Sequence, residues 1–367
     1  MLPDQNKGVK DRCGNFEHGY RTFMEQIFGD NILFADDDKA HMFRDALGHL
    51  FTPDAVYSCE EDIKRIVQYH VATLDANLPL CVYTFFKEVV TEICLSLFLG
   101  LDFHKSLEET KNVLTLTTAH WHGITSVPLQ FKVPGTSHAS TYSHALEAKE
   151  KLLKIIQAQR HSTSQRFLKQ FEEVASYDQD MFVNNHLLLF SSALVPKAIA
   201  SLLTSFAIEL GTADHISLQS ELKLKPDLKS SIFQEVLRLY PPFLGGRRIA
   251  RKDVVVDGYR IPQGHAVVYI TYTAHRDAQV FQEPETFHPE RWLGSRSDCD
   301  KHLFNFGLGP RKCLGQELVW KIVDVVVSEL MAVYQWRLVD GQDTTHKYLP
   351  VSRPRNSVVV TLHKLQF

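Results

Sequence analysis

One long apolar segment constrains this chain of 367 residues more than any other feature. Residues 187–210, LLLFSSALVPKAIASLLTSFAIEL, form a stretch long enough to cross a lipid bilayer as a helix. Pro196 and Lys197 lie near its middle, and a lysine at the centre of a membrane helix costs about 2.5–3.5 kcal/mol on insertion. We therefore predict a helix in the core of a folded domain, with a membrane span as the alternative.

The composition indicates an ordinary folded protein. With 44% hydrophobic and 23% charged residues and no low-complexity run, the chain is neither disordered nor collagen-like. A net charge of -3 offers no general basic surface, so we expect no nucleic-acid partner. The six cysteines include no pair at metal-binding spacing, which predicts reduced thiols. The first residues are polar and show neither a signal peptide nor an anchor, so we expect the chain as given to be soluble.

The sequence pattern predicts a mainly helical fold with a small β region. Helical periodicity dominates from residue 20 to about 235, with Asp36 and the two acids after it at the N-cap and first turn of one helix. A loop is expected over residues 123–135, between two helices. One helix shows a continuous apolar face, formed by Val82, Phe85, Phe86, Val89, Val90, Ile93 and Leu97. Short alternating runs after Pro241 predict strands, and a last long helix is expected from Gly315 to about Tyr334.

The most informative segment for chemistry is residues 304–315, FNFGLGPRKCLG. Glycines on both sides of Cys313 let the backbone approach a ligand closely, and a helix that starts near the cysteine would stabilise a thiolate. Arg311 could neutralise a carboxylate on whatever the thiolate binds. The alternative is a buried structural cysteine beside a turn.

Residues 306–315 resemble the haem-thiolate signature of the cytochrome P-450 family at every defining position. The resemblance implies that Cys313 is the catalytic residue and the axial ligand of the iron of haem b, the expected cofactor. It also implies that Arg311, Phe306, Gly307 and Gly315 shape the haem site. The chain is short for this family, so we expect a single partial domain over residues 1–367, the family fold without its N-terminal portion.

Two further motifs support the same resemblance. Glu235 and Arg238 lie three residues apart on one helix face, a weak signal when taken alone. Arg291 follows in the motif FHPERW. In the family the matching residues form a buried network behind the cysteine loop, so Glu235, Arg238 and Arg291 are expected to form that structural triad.

The resemblance also implies partners for the haem propionates. Arg44 falls at the position of a propionate contact, and Arg248 resembles a second one. Ala40 replaces the aromatic residue or histidine that is usual one turn before Arg44. The neighbouring His41 either compensates for this replacement or faces solvent.

The substrate side of the haem is expected near Phe243 and Leu244, for which ordinary packing at a strand edge is the alternative. The helix segment from Ser191 to Val195 is expected to line the same pocket. Residues 127–136, with the proline-glycine-threonine sequence at their end, and residues 350–355 resemble the branch that contains retinoic-acid hydroxylases and plant steroid oxidases. They suggest a lipophilic, sterol-like or retinoid-like substrate.

One departure from the family pattern affects the mechanism. An acid or amide followed by threonine normally delivers protons in the central helix, but this chain has Leu194 and Val195 at those positions. Ser191 or Ser192 could substitute, unless each hydroxyl bonds back to its own helix. Pro196 could kink the helix and free a carbonyl to hold water.

The resemblance implies a haem-thiolate monooxygenase that uses O2 and electrons from an NADPH-dependent flavoprotein reductase or a ferredoxin. One alternative is a haem-thiolate isomerase or dehydratase that acts on a lipid peroxide without a reductase. Another is a truncated haem-binding isoform that does not turn over. For a full-length eukaryotic form, the resemblance implies the endoplasmic-reticulum membrane.

Overall fold

The computed structural model describes residues 15–101, 107–133, 138–162, 179–293 and 298–366. Within these ranges the fold is mainly helical with small sheets, as predicted. The helices of the first half are α1 (Arg21–Phe28), α2 (Asp37–Gly48), α3 (Pro53–Tyr57), α4 (Glu60–Ala72), α5 (Val82–Leu99), α6 (Leu107–Thr125) and α7 (Thr141–Ser162). The later helices are α8 (Gln179–Ser191), α9 (Leu194–Gly211), α10 (Leu218–Leu224), α11 (Pro226–Leu239), α12 (Thr271–Ala274) and α13 (Gln316–Val333).

The strands form two three-stranded sheets and two hairpins. They are β1 (Phe16–His18), β2 (Leu80–Cys81), β3 (Gly245–Ala250), β4 (Val254–Val256), β5 (Tyr259–Ile261), β6 (Ala266–Ile270), β7 (Tyr334–Leu338), β8 (His346–Lys347), β9 (Arg353–Pro354) and β10 (Val359–Lys364). One sheet has the order β1-β3-β6 and the other β2-β10-β7, whereas β4 pairs with β5 and β8 with β9. Antiparallel pairing of β1 with β3 sets His18 opposite Arg248, which joins the start of the described chain to its later half.

Helices α5 and α9 lie side by side in the centre of the hydrophobic core. Every residue of the predicted apolar face of α5 is buried, from Val82 to Leu97. Helix α9 is buried on all sides from Ile199 to Gly211, which is the pattern of a helix surrounded by protein. This packing explains why the two most apolar segments of the sequence are neighbours.

The apolar segment that we predicted as one helix is broken into two. Helix α8 ends at Ser191 and α9 begins at Leu194. Pro196 has no N–H, so it cannot donate to the carbonyl of Ser192, and it lies in the first turn of α9, where an N–H has no partner within the helix. The proline therefore restarts the helix rather than merely bending it.

Helices α8 and α9 contain the segment whose composition suggested a membrane span as the alternative. Asp180–Gly211 are long and apolar enough to cross a membrane, with a mean hydropathy of 1.7, but 67% of the apolar window is buried inside the fold. The core helix of a folded domain meets the same criteria. The structure therefore agrees with our prediction of core helices.

The predicted loop after Gly123 starts later than expected. Helix α6 runs through Gly123 to Thr125, because nothing in this stretch interrupts helical hydrogen bonding before Pro128. Pro134–Thr136 of the family-like loop motif lie outside the described residues. The last helix matches its prediction closely, since α13 runs from Gln316 to Val333.

Candidate functional site

The cysteine loop is a tight turn that leads into α13. Gly307 and Gly309 adopt left-handed backbone angles, with φ of 71° and 61°, which side chains with a Cβ rarely tolerate. The Cys313 N–H donates to the carbonyl of Phe306 at 2.7 Å, and the Gly307 N–H donates to that of Phe304 at 2.9 Å. The loop is therefore closed by its own backbone, with the Cys313 side chain left outside these bonds.

Cys313 combines solvent access with dense surroundings. Its side chain is exposed, yet desolvation by the protein raises the pKa of its thiol. Both observations hold together because protein atoms surround the thiol closely while part of the Cys313 side chain still meets water. The backbone N–H of Gly315 and the charges of Arg44 and Lys312 oppose this rise and favour the thiolate. The surroundings thus offer positive charge to an anionic sulfur that a metal would deprotonate.

Glu235, Arg238 and Arg291 meet in a buried network. Arg238 donates to both carboxylate oxygens of Glu235, from Nε at 2.9 Å and from Nη2 at 2.8 Å. Arg291 donates from Nε to Glu235 Oε1 at 3.1 Å. The Glu235 and Arg238 side chains are fully buried and that of Arg291 is 7% exposed. The indole N–H of Trp292 adds a bond to Glu235 Oε2 at 2.9 Å, a partner that the sequence analysis missed.

The network reaches the cysteine loop through His275. Arg238 Nη1 donates to the His275 carbonyl at 3.0 Å, and the Phe304 N–H donates to His275 Nε2 at 2.9 Å. Asn305 Nδ2 also donates to the carbonyl of Leu237 on α11, at 2.8 Å. The segment before Cys313 is therefore positioned by the helix that bears the buried carboxylate. His275 gave no signal in the sequence because it belongs to no motif.

Three guanidinium groups converge near the cysteine loop. Arg44 on α2 donates to the carbonyl of Lys312 at 2.5 Å. The positive charges of Arg248 and Arg44 help to lower the pKa of Arg311, although desolvation is the larger cause. Arg248 on β3 stands 5.9 Å from the Tyr269 ring centroid and has no described carboxylate within ion-pair distance. The sequence-predicted propionate contacts are thus brought together in space.

Asp36 and His18 also belong to this site, although neither was predicted there. Asp36 is the N-cap residue of α2, as predicted, but its side chain makes no capping hydrogen bond. Its carboxylate instead forms an ion pair with Arg311 and accepts the His18 N–H at 3.1 Å. Burial, followed by the charges of Arg248, Arg311 and Arg21, lowers the pKa of His18 to about 3. The low pKa keeps the His18 imidazole neutral close to Arg248 and Arg311.

The side chains predicted to line the substrate pocket fall into two groups. Phe243 is 40% exposed, and Leu244, Leu194 and Val195 are partly exposed. Ser191 and Ser192 are each 1% exposed, and their hydroxyls donate to the carbonyls of Leu187 and Leu189. The back-bonded alternative therefore holds for both serines. His41 is exposed, in agreement with its solvent-facing alternative.

These residues fit a haem. An exposed cysteine beside a backbone N–H and positive charges suits an iron ligand, and the glycines at 307 and 309 keep those two loop positions free of side chains. Among the guanidinium groups of Arg44, Arg248 and Arg311, only that of Arg311 forms an ion pair with a described carboxylate, which belongs to Asp36. Such an excess of positive charge matches the two propionates of the cofactor.

The buried histidine of the network predicts acid sensitivity. Desolvation, then the charges of Arg238 and Arg276, lowers the pKa of His275 to about 4. The unfolded chain binds this proton near pH 6.5 and the folded chain does not, so the free energy of unfolding should fall as pH drops from 6.5 towards 4. At pH 5 the loss due to His275 should be roughly 2 kcal/mol. Urea unfolding at pH 7.5 and pH 5 tests this: His275→Gln should lose less stability than the wild type, and an equal loss would contradict the prediction.

Comparison with known proteins gives one family. The family model "Cytochrome P-450" matches residues 226–362. Human cytochrome P-450 26C1 is 35% identical over 140 residues, which cover 36% of this chain and 27% of that protein. Beta-amyrin 28-monooxygenase of Medicago truncatula is 27% identical over 341 residues, covering 82% of this chain and 68% of that protein. The matched segment thus spans about a quarter of the length of the human relative.

The solved structures add the fold. Cyanobacterial CYP120A1 with retinoic acid bound superimposes with a TM-score of 0.83 at 22% sequence identity. The match covers 98% of this chain and 87% of that structure. At 22% identity this similarity shows that the two proteins have the same fold.

Proposed function

The chain belongs to the cytochrome P-450 family, and on that premise we propose that it is a haem-thiolate monooxygenase acting on a lipophilic substrate. The observation on which this proposal rests is the position of Cys313. Its thiol is accessible, faces the backbone N–H of Gly315 and lies close to Arg44. The name of the Medicago relative, a monooxygenase, supports the same reaction class.

Each residue of the site has a defined task in this proposal. Cys313 would bind the haem iron, and Arg44, Arg248 and Arg311 would bind the propionates, with His18 and Asp36 orienting the last two. Phe306, Gly307 and Gly315 would shape the loop around the ligand. The bound haem supplies the activation of O2, which a thiolate ligand favours by donating electron density.

The apolar side of the site would receive the substrate. Phe243 and Leu244 precede β3, and Leu194 and Val195 begin α9. These side chains are partly exposed and apolar, so they would bind a lipophilic body and exclude water from it. Ser191 and Ser192 no longer belong to this set, because their hydroxyls bond within α8 and its end.

The same residues support a second candidate reaction. Leu194 and Val195 cannot transfer protons, and the neighbouring serine hydroxyls are engaged with backbone carbonyls. A haem-thiolate isomerase or dehydratase that acts on a lipid peroxide needs no such relay and no reductase. In the monooxygenase, protons would instead travel through water held near the helix break after Ser191.

We further infer that the chain acts as one cofactor-centred unit. The site combines β1 and α2 with the loop before α13, so residues from both halves are required. Electrons would come from an NADPH-dependent flavoprotein reductase or a ferredoxin. If the protein binds haem but catalyses neither reaction, it is a haem-binding isoform without turnover.

Two measurements on the purified holoprotein test the proposal. The reduced carbon monoxide complex should show the absorption band of a thiolate-ligated haem. With reductase, NADPH and 18O2, a lipophilic substrate such as a triterpene or retinoid should gain one labelled oxygen atom. Turnover of a lipid hydroperoxide without reductase would instead assign the isomerase or dehydratase reaction. Absence of the thiolate band would overturn both assignments.

A further inference from the structure

A group of cations lies apart from the cysteine loop, where α9 meets α5 and β9. Lys197 Nζ stands 4.1 Å from the centroid of the Trp121 ring. Arg353 on β9 lies 5.6 Å from the centroid of the Tyr83 ring, and Tyr83 shares a face of α5 with Lys87, four residues later. In the described part of the chain, no carboxylate lies within ion-pair distance of Lys87, Lys197 or Arg353.

The cations are close enough to disfavour one another. The pKa of Lys197 is lowered to about 7, first by burial and then by the charges of Arg353 and Lys87. Partly buried cations without counter-ions are costly, and natural proteins usually pair them. The described side chains supply no carboxylate that would balance them.

Buried hydroxyls point to the same place. Ser201 and Ser352 each have a side-chain oxygen that is shielded from water and has no hydrogen-bond partner. The Tyr83 hydroxyl is shielded as well, and the Arg353 guanidinium is its one described polar neighbour. Tyr83 precedes Lys87 by one helical turn. Ser201 follows Lys197 by one turn on the same side of α9, and Ser352 adjoins Arg353.

An unpartnered buried hydroxyl is unfavourable, because it has lost its water without gaining a protein partner. The cations and the Tyr83 and Ser201 hydroxyls are thus hydrogen-bond donors for which the described side chains supply no carboxylate acceptor. Burial raises the pKa of the Tyr83 hydroxyl, and the charge of Arg353 together with a hydrogen bond from its guanidinium opposes this rise. An anion supplies the missing acceptor oxygens for both kinds of group.

We propose that Lys197 and Arg353, assisted by Lys87 and the hydroxyls of Tyr83 and Ser201, form a binding site for a carboxylate. A carboxylate matches the fork of a guanidinium and can accept further bonds from hydroxyls and an ammonium. A phosphate dianion fits less well, because Trp121 covers one side of Lys197 and desolvating two charges costs more than desolvating one.

The position of the site indicates which molecule bears the carboxylate. Lys197 follows Leu194 by three residues, one turn of α9, so the cations lie at the border of the apolar surface to which we assign the substrate. An apolar molecule with a terminal carboxylate could occupy both. This identification of the ligand with the substrate rests on the proposed function, whereas the carboxylate site itself does not.

Calorimetric titration of the purified holoprotein tests the proposal with dodecanoate, dodecanol and acetate as probes. The wild type should bind dodecanoate at least about tenfold more tightly than dodecanol. Lys197→Met and Arg353→Gln should each reduce this preference to less than about threefold and leave dodecanol affinity unchanged. Lys225→Met is the matched control, since it removes an exposed lysine that pairs with Glu221, and it should keep the full preference.

Each other outcome decides a separate point. If both variants keep the wild-type preference, the site is overturned. If acetate binds as tightly as dodecanoate, the anion is a free small carboxylate and the link to the substrate is overturned. Thermal unfolding without ligand should show that Lys197→Met is at least as stable as the wild type, because the charge that repels Arg353 and Lys87 is gone. Arg353→Gln tests the carboxylate site in the titration independently of Lys197→Met.

The titration also separates this proposal from the proposed function. It requires neither a reductase nor turnover, so the carboxylate preference can persist in a protein that lacks the thiolate band. Conversely, a normal thiolate band with no carboxylate preference would leave the monooxygenase assignment intact and remove only the anion site.

Discussion

Cys313→Ala is expected to abolish the thiolate-type band of the reduced carbon monoxide complex and all turnover that depends on haem. The reason is that no other described cysteine lies on the cysteine loop, and Cys59, Cys81, Cys94 and Cys299 are buried or partly buried elsewhere. Because the Cys313 side chain is exposed, its removal should change the free energy of unfolding of the haem-free protein by less than about 1 kcal/mol. Absorption spectra and urea unfolding of the same preparations measure the two effects.

Cys299→Ala is the matched control for this prediction. Cys299 is a free, partly buried cysteine in the segment that precedes the cysteine loop. Its replacement should leave the thiolate band and turnover unchanged. A thiolate band that survives in Cys313→Ala, or disappears in Cys299→Ala, would assign the ligand to another residue and refute the site described above.

Glu235→Gln should have the second large effect, a loss of about 3–5 kcal/mol in the free energy of unfolding. The carboxylate is fully buried between Arg238 and Arg291, and its neutralisation leaves two guanidinium groups without a counter-charge. Trp292 and the His288 N–H would also lose an anionic acceptor. The bonds from Arg238 through His275 to Phe304 should then weaken, so haem incorporation should fall together with stability.

A surface ion pair provides the comparison for Glu235→Gln. Glu221 pairs with Lys225 at 3.0 Å on exposed side chains, so Glu221→Gln should cost less than about 1 kcal/mol. Urea unfolding at pH 7.5 and the ratio of haem to protein after purification measure both variants. Similar losses in the two variants would show that burial does not set the energy of the Glu235 network.

Local patterns predicted the fold class and much of the cysteine site. The apolar face of α5 has a regular helical period, and that period is enough to place its residues in the core. Residues 306–315 predicted the loop because their glycines, cysteine and arginine are contiguous in the chain. Glu235 and Arg238 were predictable for the same reason, since three residues along a helix bring two side chains together.

Features that depend on distant pairings were not predictable. β1 has three residues, too few for a periodic signal, yet its pairing with β3 sets His18 opposite Arg248 and close enough to Arg311 for the charge of that residue to lower the His18 pKa. Asp36 has the chemistry of a helix cap, and only the folded chain shows that Arg311 binds its carboxylate instead. The effect of Pro196 was predicted as a kink, but the strength of the break depends on how α8 and α9 pack.

The four tryptophans of the chain make its regions optically distinguishable. Trp320 lies 5.7 Å from Phe306 in the cysteine loop, and Trp292 donates to Glu235. Trp121 lies under Lys197, and Trp336 donates to the Ala207 carbonyl of α9. Single replacements by phenylalanine would resolve the intrinsic fluorescence into signals from the loop, the buried network, the cation group and the core. Binding and folding events in this protein could then be timed separately without an added label.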